Sequence, residues 1–148
     1  MKKIHVLLFI LIQTLALPLL AQSEVKRVLN HQEIEQLKNY SDSILLQLKK
    51  IYFKELKEKT PAKYQPQRIA LVRDFLWLFE FFEEQYTVIN LSKKNVTKII
   101  GKADKIYQED GFDVFEYNLQ NNPHFKLKNF KYSFVFKNNI LVSVKRYY

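Results

Sequence analysis

Cysteine is absent from this chain of 148 residues, and glycine, methionine, tryptophan and histidine are scarce. Without cysteine the protein forms no disulfide and offers no thiol to which a lipid anchor could be attached. Its stability must therefore come from a packed core. Two glycines beside many lysine, asparagine, isoleucine and aromatic residues are a composition typical of a bacterium with an AT-rich genome.

Motifs for catalysis and for metal binding are also missing. The sequence contains no P-loop, no Gly-x-Ser-x-Gly, no His-Glu-x-x-His and no paired Cys/His ligands. His31 and His124 stand near a helix start and in a loop, and we interpret both as surface residues. These absences favour a binding protein without a cofactor over an enzyme.

Two acidic clusters remain as candidates for chemistry: Glu80, Glu83 and Glu84, and Glu109, Asp110 and Asp113. The first trio can place two carboxylates on one helical face, so a hydrolase is one hypothesis, with a solvated helix edge as the alternative. The second trio surrounds Gly111 and indicates a turn, because its spacing does not match a calcium-binding loop.

The first 21 residues have the three parts of an export signal. Lys2 and Lys3 precede an apolar run over residues 4–12, a second run over residues 15–20 contains Pro18, and Ala21 offers a small residue for cleavage. A retained membrane anchor is the alternative, since the apolar stretch approaches the roughly 18 residues that can span a bilayer. Gln13, Thr14 and Pro18 weaken that alternative.

The first testable prediction concerns this processing. Mass spectrometry of the exported protein should show a chain that starts at Gln22. Recovery of intact Met1 in the membrane fraction would contradict it.

Residues 22–148 have the composition of one folded domain. The whole chain is 47% hydrophobic and 15% aromatic, which argues against disorder, and its formal net charge is +9. Residues 22–90 carry 11 basic and 10 acidic side chains, whereas residues 91–148 carry 11 and 5. The basic surplus predicts an acidic envelope protein or envelope surface as partner, with peripheral membrane contact and no nucleic acid. A merely solubilising surface is the alternative.

Residues 22–90 form the helical part of this domain. Asn30 and Glu33 form a capping box that opens a helix over residues 30–58, before Thr60 and Pro61. Its apolar residues recur at threes and fours and indicate one buried stripe: Ile34, Leu37, Tyr40, Ile44, Leu48, Ile51 and Tyr52.

A second, more apolar helix is predicted over residues 67–86. Such a helix requires burial on most sides, which favours a central position between the first helix and a sheet. Trp77 and Phe81 lie on neither of its two apolar stripes. They are either buried like the rest of the helix or exposed as aromatic anchors for a partner.

The remaining chain, residues 91–148, predicts a short helix and three strands. Ser92 caps the helix and Gly101 ends it. Residues 112–119 alternate in polarity as in a strand, and residues 130–136 and 140–144 form a hairpin across Asn138 and Asn139.

The two-residue turn predicts the register of this hairpin. It places Phe136 opposite Leu141 and Tyr132 opposite Lys145, so that both sheet faces are partly apolar. We predict a partner-binding patch around the hairpin, formed by Lys131, Lys137, Lys145 and Arg146. A sheet edge that accepts a partner strand is a second mode of binding.

From residue 91 to about residue 145 the sequence resembles the SmpA/OmlA (BamE-like) domain. The resemblance rests on the capped helix with Val96 and Gly101, the following Lys102-Ala103-Asp104, the strand with Tyr117, and the hairpin with Phe136. It implies two helices against a three-stranded antiparallel sheet, a plan shared with the β-lactamase inhibitor proteins. It implies structural roles for these residues and no chemistry.

The sequence therefore predicts a single α+β domain with three helices packed on a three-stranded antiparallel sheet. Its predicted function is that of a non-enzymatic, extracytoplasmic binding or accessory protein of the bacterial cell envelope. The alternative is an inhibitor or immunity protein that blocks a secreted enzyme or toxin.

Overall fold

The computed structural model describes residues 26–147, so the predicted export signal and its predicted cleavage point at Ala21 lie outside the described residues. The elements are, in chain order, β1 (Arg27–Val28), α1 (His31–Glu58), α2 (Pro61–Gln85), β2 (Ile89–Asn90), α3 (Lys93–Ile100), β3 (Lys105–Glu109), β4 (Phe112–Asn118), a 3₁₀ turn (Leu119–Asn121), β5 (Lys131–Lys137) and β6 (Ile140–Tyr147). The α+β class and the three helices are confirmed.

Helix α1 begins where the capping box predicts. The Asn30 side chain accepts a hydrogen bond from the Glu33 backbone N–H at 2.9 Å, and the Glu33 carboxylate accepts one from the Asn30 N–H at 2.8 Å. The helix buries the predicted stripe with Ile34, Leu37, Ile44, Leu48 and Ile51. The 3.6-residue period therefore positions α1 against the core.

Helix α2 begins six residues earlier than the predicted start at residue 67, at Pro61. Proline is favoured at the first helical position, since its fixed φ suits a helix and its missing N–H would have no partner there. Pro66 lies inside the helix, where it removes one hydrogen bond without ending the helix. The prediction was wrong because it treated both prolines as loop residues.

Helix α3 matches its predicted bounds. The Ser92 hydroxyl accepts a hydrogen bond from the Asn95 N–H at 3.2 Å, and Gly101 at the far end has a φ of +93°. The buried Tyr117 hydroxyl donates to the Gly101 carbonyl oxygen at 3.1 Å. Burial raises the pKa of Tyr117, which keeps this donor protonated.

The sheet has four antiparallel strands in the order β3-β4-β5-β6, so the prediction of three strands was wrong. The additional strand, β3, pairs with β4 across the two-residue turn Asp110-Gly111, where both residues have positive φ. A separate two-stranded parallel pair, β1 with β2, ties the start of the described chain to the segment after α2. None of β1, β2 and β3 was predicted.

The hairpin of β5 and β6 contains a β-bulge that the predicted register lacks. Phe136 lies opposite Leu141 as expected, but Tyr132 pairs with Arg146 rather than with Lys145. The extra residue, Val142, shifts every later residue of β6 by one position. As a result Val144 faces the core, 9% exposed, although the predicted register placed it on the opposite face.

The core lies between the helices and the inner face of the sheet. Phe79 of α2 is fully buried and its ring lies 4.5 Å from that of Tyr132 and 5.7 Å from that of Phe134. Phe82 also contacts Phe134, with ring centroids 5.8 Å apart. This aromatic layer holds the inner face and leaves the opposite face of the sheet turned away from the helices.

Candidate functional site

The outer face of the sheet, the face turned away from the helices, is the candidate binding surface. Side chains alternate between the two faces of a strand, so the register assigns each residue to one face. Lys105, Glu116, Ser133 and Lys145 form one cross-strand row. The neighbouring positions on this face are Tyr107, Val114, Val135 and Ser143 on one side, and Asn118, Lys131 and Tyr147 on the other.

Three predicted lysines share this outer face. Lys131 and Lys145 lie on adjacent strands, and Lys137 follows on the same face near the turn. Lys137 and Lys145 are exposed, and Lys131 is half-buried. The structure thus brings together three of the four cations predicted to form a patch.

Aromatic rings on the outer face support several of these lysines. The ammonium of Lys131 lies 5.4 Å from the ring centroid of Tyr147, and that of Lys137 lies 5.6 Å from the ring of Phe112. Lys105 lies 4.7 Å from the ring of its neighbour Tyr107. These cation–π contacts hold the lysine side chains along the face. Less side-chain conformational entropy is therefore lost when a partner binds.

One carboxylate, that of Glu116, lies in the middle of the outer face. Its Oε1 accepts a hydrogen bond from the Tyr107 hydroxyl at 3.0 Å and pairs with the Lys131 ammonium at 2.8 Å. The hydrogen bond from Lys131 holds the pKa of the Glu116 carboxyl below its ordinary value. Lys145 makes no ion pair or hydrogen bond with any residue from 26 to 147, so its charge is available to a partner.

Arg146 is not part of this surface. The bulge places it on the inner face at the end of the sheet, opposite Tyr132. Its guanidinium Nη1 lies 3.6 Å from the Glu80 carboxylate of α2. The predicted register placed Arg146 on the same face as Lys131, and that placement was wrong because the bulge reverses the side on which Arg146 lies.

The aromatic residues Trp77 and Phe81 of α2 do not form an exposed anchor. Phe81 is 3% exposed, and its ring packs against Trp77 at 5.4 Å and Phe82 at 5.6 Å. Trp77 is half-buried and meets Tyr40 of α1 edge-on at 6.1 Å. Phe81 therefore belongs to the core, which corrects the interpretation of Phe81 as a surface anchor.

The residues considered for chemistry do not converge. Glu80 and Glu84 are exposed near the end of α2, and Glu80 takes part in the ion pair with Arg146. His31 is exposed, whereas His124 stacks on Tyr52 with ring centroids 5.0 Å apart. Over residues 26–147, no three histidine or acidic side chains gather in a way that could hold a metal ion.

Sequence reasoning missed three members of the outer face, namely Lys105, Tyr107 and Tyr147. Lys105 and Tyr107 lie on β3, which was not predicted. The Asp110-Gly111 pair was the available signal, because an Asp-Gly dipeptide between polar and apolar residues is typical of a two-residue hairpin turn. Tyr147 extends β6 beyond its predicted end at residue 144.

Comparison with known proteins does not assign this chain to a family. Within the described part of the chain, no helix combines the length and the apolar character needed to cross a membrane. The likeness to the SmpA/OmlA domain over residues 91–145 stays a prediction. The sequence matches no protein-family model and no curated protein, and the structure matches no solved structure.

Proposed function

We propose that the protein is a binding domain of the bacterial cell envelope that docks an acidic protein surface on the outer face of its sheet. The observation that carries this proposal is the arrangement of Lys105, Lys131, Lys137 and Lys145 on one sheet face with only two carboxylates, those of Glu109 and Glu116, a formal charge of 4 − 2 = +2. A positive face attracts an acidic partner and fixes its orientation.

The composition of the face supports a protein partner in particular. Tyr107 and Tyr147 lie among the lysines, and Tyr147 is 46% exposed. Tyrosine is enriched at protein–protein interfaces, where its ring is buried and its hydroxyl finds a hydrogen-bond partner. A purely solubilising surface requires only charge, and it gains nothing from exposed aromatic rings.

An extracytoplasmic location and a BamE-like plan for residues 91–148 belong to the same proposal. They rest on the export signal in the sequence and on the order of the capped helix α3 followed by the strands β4, β5 and β6. The strand β3 is an addition to the three-stranded plan. An inhibitor or immunity protein would use the same face against one secreted enzyme or toxin.

Reversal of two exposed charges tests the proposal. The double variant Lys137→Glu/Lys145→Glu should lose most of the partner recovered by affinity capture from envelope extract. We expect the remaining binding to depend less on salt, because charges interact over about 10 Å at 0.1 M ionic strength. Neither side chain forms an ion pair within residues 26–147, so circular dichroism should show an unchanged fold.

The matched control makes the same change in net charge elsewhere. Lys49→Glu/Lys54→Glu alters two exposed lysines of α1 and should leave recovery of the partner unchanged. Equal recovery with both double variants would overturn the proposal. Binding to anionic phosphatidylglycerol vesicles that depends on Lys137 and Lys145, without a captured protein, would assign the face to a membrane surface instead.

A further inference from the structure

A long groove runs along α2. Its volume is about 630 Å³, and it lies between α2 and the segment that precedes β5. The helix contributes residues at intervals of three and four, which lie on one face of α2: Pro61, Gln65, Ile69, Val72, Leu76 and Glu80. Phe125 and Leu127 line the opposite side.

Apolar side chains in the groove are open to solvent. Ile69 is 58% exposed, and Leu76 and Leu127 are half-buried. A ligand that covers these apolar groups removes them from water, which favours binding. The groove is therefore a solvent-exposed apolar surface of defined shape.

The groove also carries positive charge. Arg68 and Lys126 both pair with the single carboxylate of Glu55, with Lys126 Nζ 2.6 Å from Glu55 Oε2. Lys126 has three donor hydrogens and uses one of them here. Arg73 is exposed and has no ion pair or hydrogen bond within residues 26–147.

The charge count favours an anionic ligand. The groove has three cationic side chains, those of Arg68, Arg73 and Lys126, and one carboxylate among them, that of Glu55. Glu80 at the far end is paired with Arg146, so this pair adds no net charge. The groove thus has a formal charge of 3 − 1 = +2 beside its apolar lining. A ligand that complements both features has a hydrocarbon part and an acidic head.

The shape separates two kinds of apolar occupant. From Pro61 to Glu80 the groove spans 19 residue steps, or about 28 Å at 1.5 Å per residue. Averaged over that length, a volume of about 630 Å³ gives a cross-section of only about 22 Å², so a helix about 10 Å across cannot enter the groove and could only lie over its rim. A single extended hydrocarbon chain is long and narrow and fits this form.

We propose that the groove binds a single-chain amphiphile with a carboxylate head, a fatty acid. The hydrocarbon chain lies against Ile69, Val72, Leu76 and Leu127, and the carboxylate takes the free donors of Arg73 and Lys126. This site shares no residue with the outer face of the sheet, so its test is independent of the proposed function.

Isothermal titration calorimetry with sodium dodecanoate, kept below its micelle concentration, tests the site. The protein should bind one dodecanoate saturably. Ile69→Glu should weaken binding at least about tenfold, because it places a carboxylate beside the bound chain. The matched control Leu46→Glu changes a residue of α1 that is 53% exposed and outside the groove, and it should bind as the wild type does.

A second variant and a second ligand test the charge. Arg73→Ala should weaken dodecanoate binding and leave the binding of uncharged dodecanol unchanged, while dodecyltrimethylammonium should not bind. Absence of saturable binding, equal loss in Ile69→Glu and Leu46→Glu, or equal affinity for the cationic amphiphile would overturn the proposal. Dimerisation in sedimentation velocity that Ile69→Glu abolishes would do so too, by assigning the groove to a second copy of the chain.

Discussion

Replacement of Phe79 by alanine is expected to cost about 3–5 kcal/mol of folding free energy. Phe79 is fully buried at the centre of the aromatic core, and the cavity left by its ring cannot collapse easily between a helix and a sheet. Its ring contacts four others, those of Phe75, Tyr117, Tyr132 and Phe134. Such a loss is a large part of the roughly 5–15 kcal/mol that holds a small domain together.

Urea unfolding followed by circular dichroism measures this effect. Phe53→Ala provides the matched control, since Phe53 of α1 is 54% exposed and its removal should change stability by no more than about 0.5 kcal/mol. A midpoint for Phe79→Ala that coincides with that of Phe53→Ala would show that the sheet does not pack on α2 through this ring.

Loss of the Glu55 carboxylate should be comparably damaging. Glu55 is 5% exposed and Arg68 is 8% exposed, and the carboxylate pairs with the guanidinium through both oxygens. Glu55→Ala leaves Arg68 buried without a counter-charge, which typically costs about 3–5 kcal/mol. Urea unfolding of the variant should therefore shift to a much lower midpoint.

Two further variants distinguish the effect of leaving Arg68 buried without a counter-charge from the effect of simply losing a carboxylate. Glu58→Ala removes an exposed carboxylate of the same helix, paired with Lys63 at 3.0 Å, and should have a much smaller effect. Adding Arg68→Met to Glu55→Ala should restore part of the stability, because no guanidinium then remains buried. Equal effects of Glu55→Ala and Glu58→Ala would contradict a buried ion pair.

The elements that sequence alone predicts are those with local signals. Asn30 with Glu33, and Ser92, fix helix starts through side chains a few residues from the backbone groups that they satisfy. Asn138 and Asn139, both with positive φ, fix the β-hairpin. In each case the stabilising partner is close in the chain, so the pattern can be read without the tertiary structure.

The features that sequence did not predict depend on distant contacts. In β6, Ile140, Leu141 and Val142 are all apolar, so alternation cannot show that Val142 is the bulged residue. The face of Arg146 depends on that bulge. The sequence does not show whether Phe81 is buried, because α2 is apolar on nearly every side. Only the packing of α1 and the sheet decides which side of α2 faces the core.

Part of the binding surface could be predicted from local strand patterns. Lys131 and Lys137 are six residues apart on one strand, so their common face follows from the alternation alone. Lys145 joins them only through the bulge, because the predicted register placed it opposite Tyr132. Strand β3 carries few apolar residues and lies at the sheet edge, where Ile106 is 53% exposed. Its pattern was therefore weak, and Lys105 and Tyr107 were missed with it.

The order of strands has a consequence for how the chain folds. Every pair in the four-stranded sheet joins strands that follow each other in sequence, so the sheet can zip together from successive hairpins with little loop-closure entropy. The parallel pair β1 with β2 is different, since Arg27 must meet Ile89 across two whole helices. We therefore expect strand β1 to dock late in folding and to detach early in local unfolding, so that hydrogen exchange would show the start of the described chain as weakly protected.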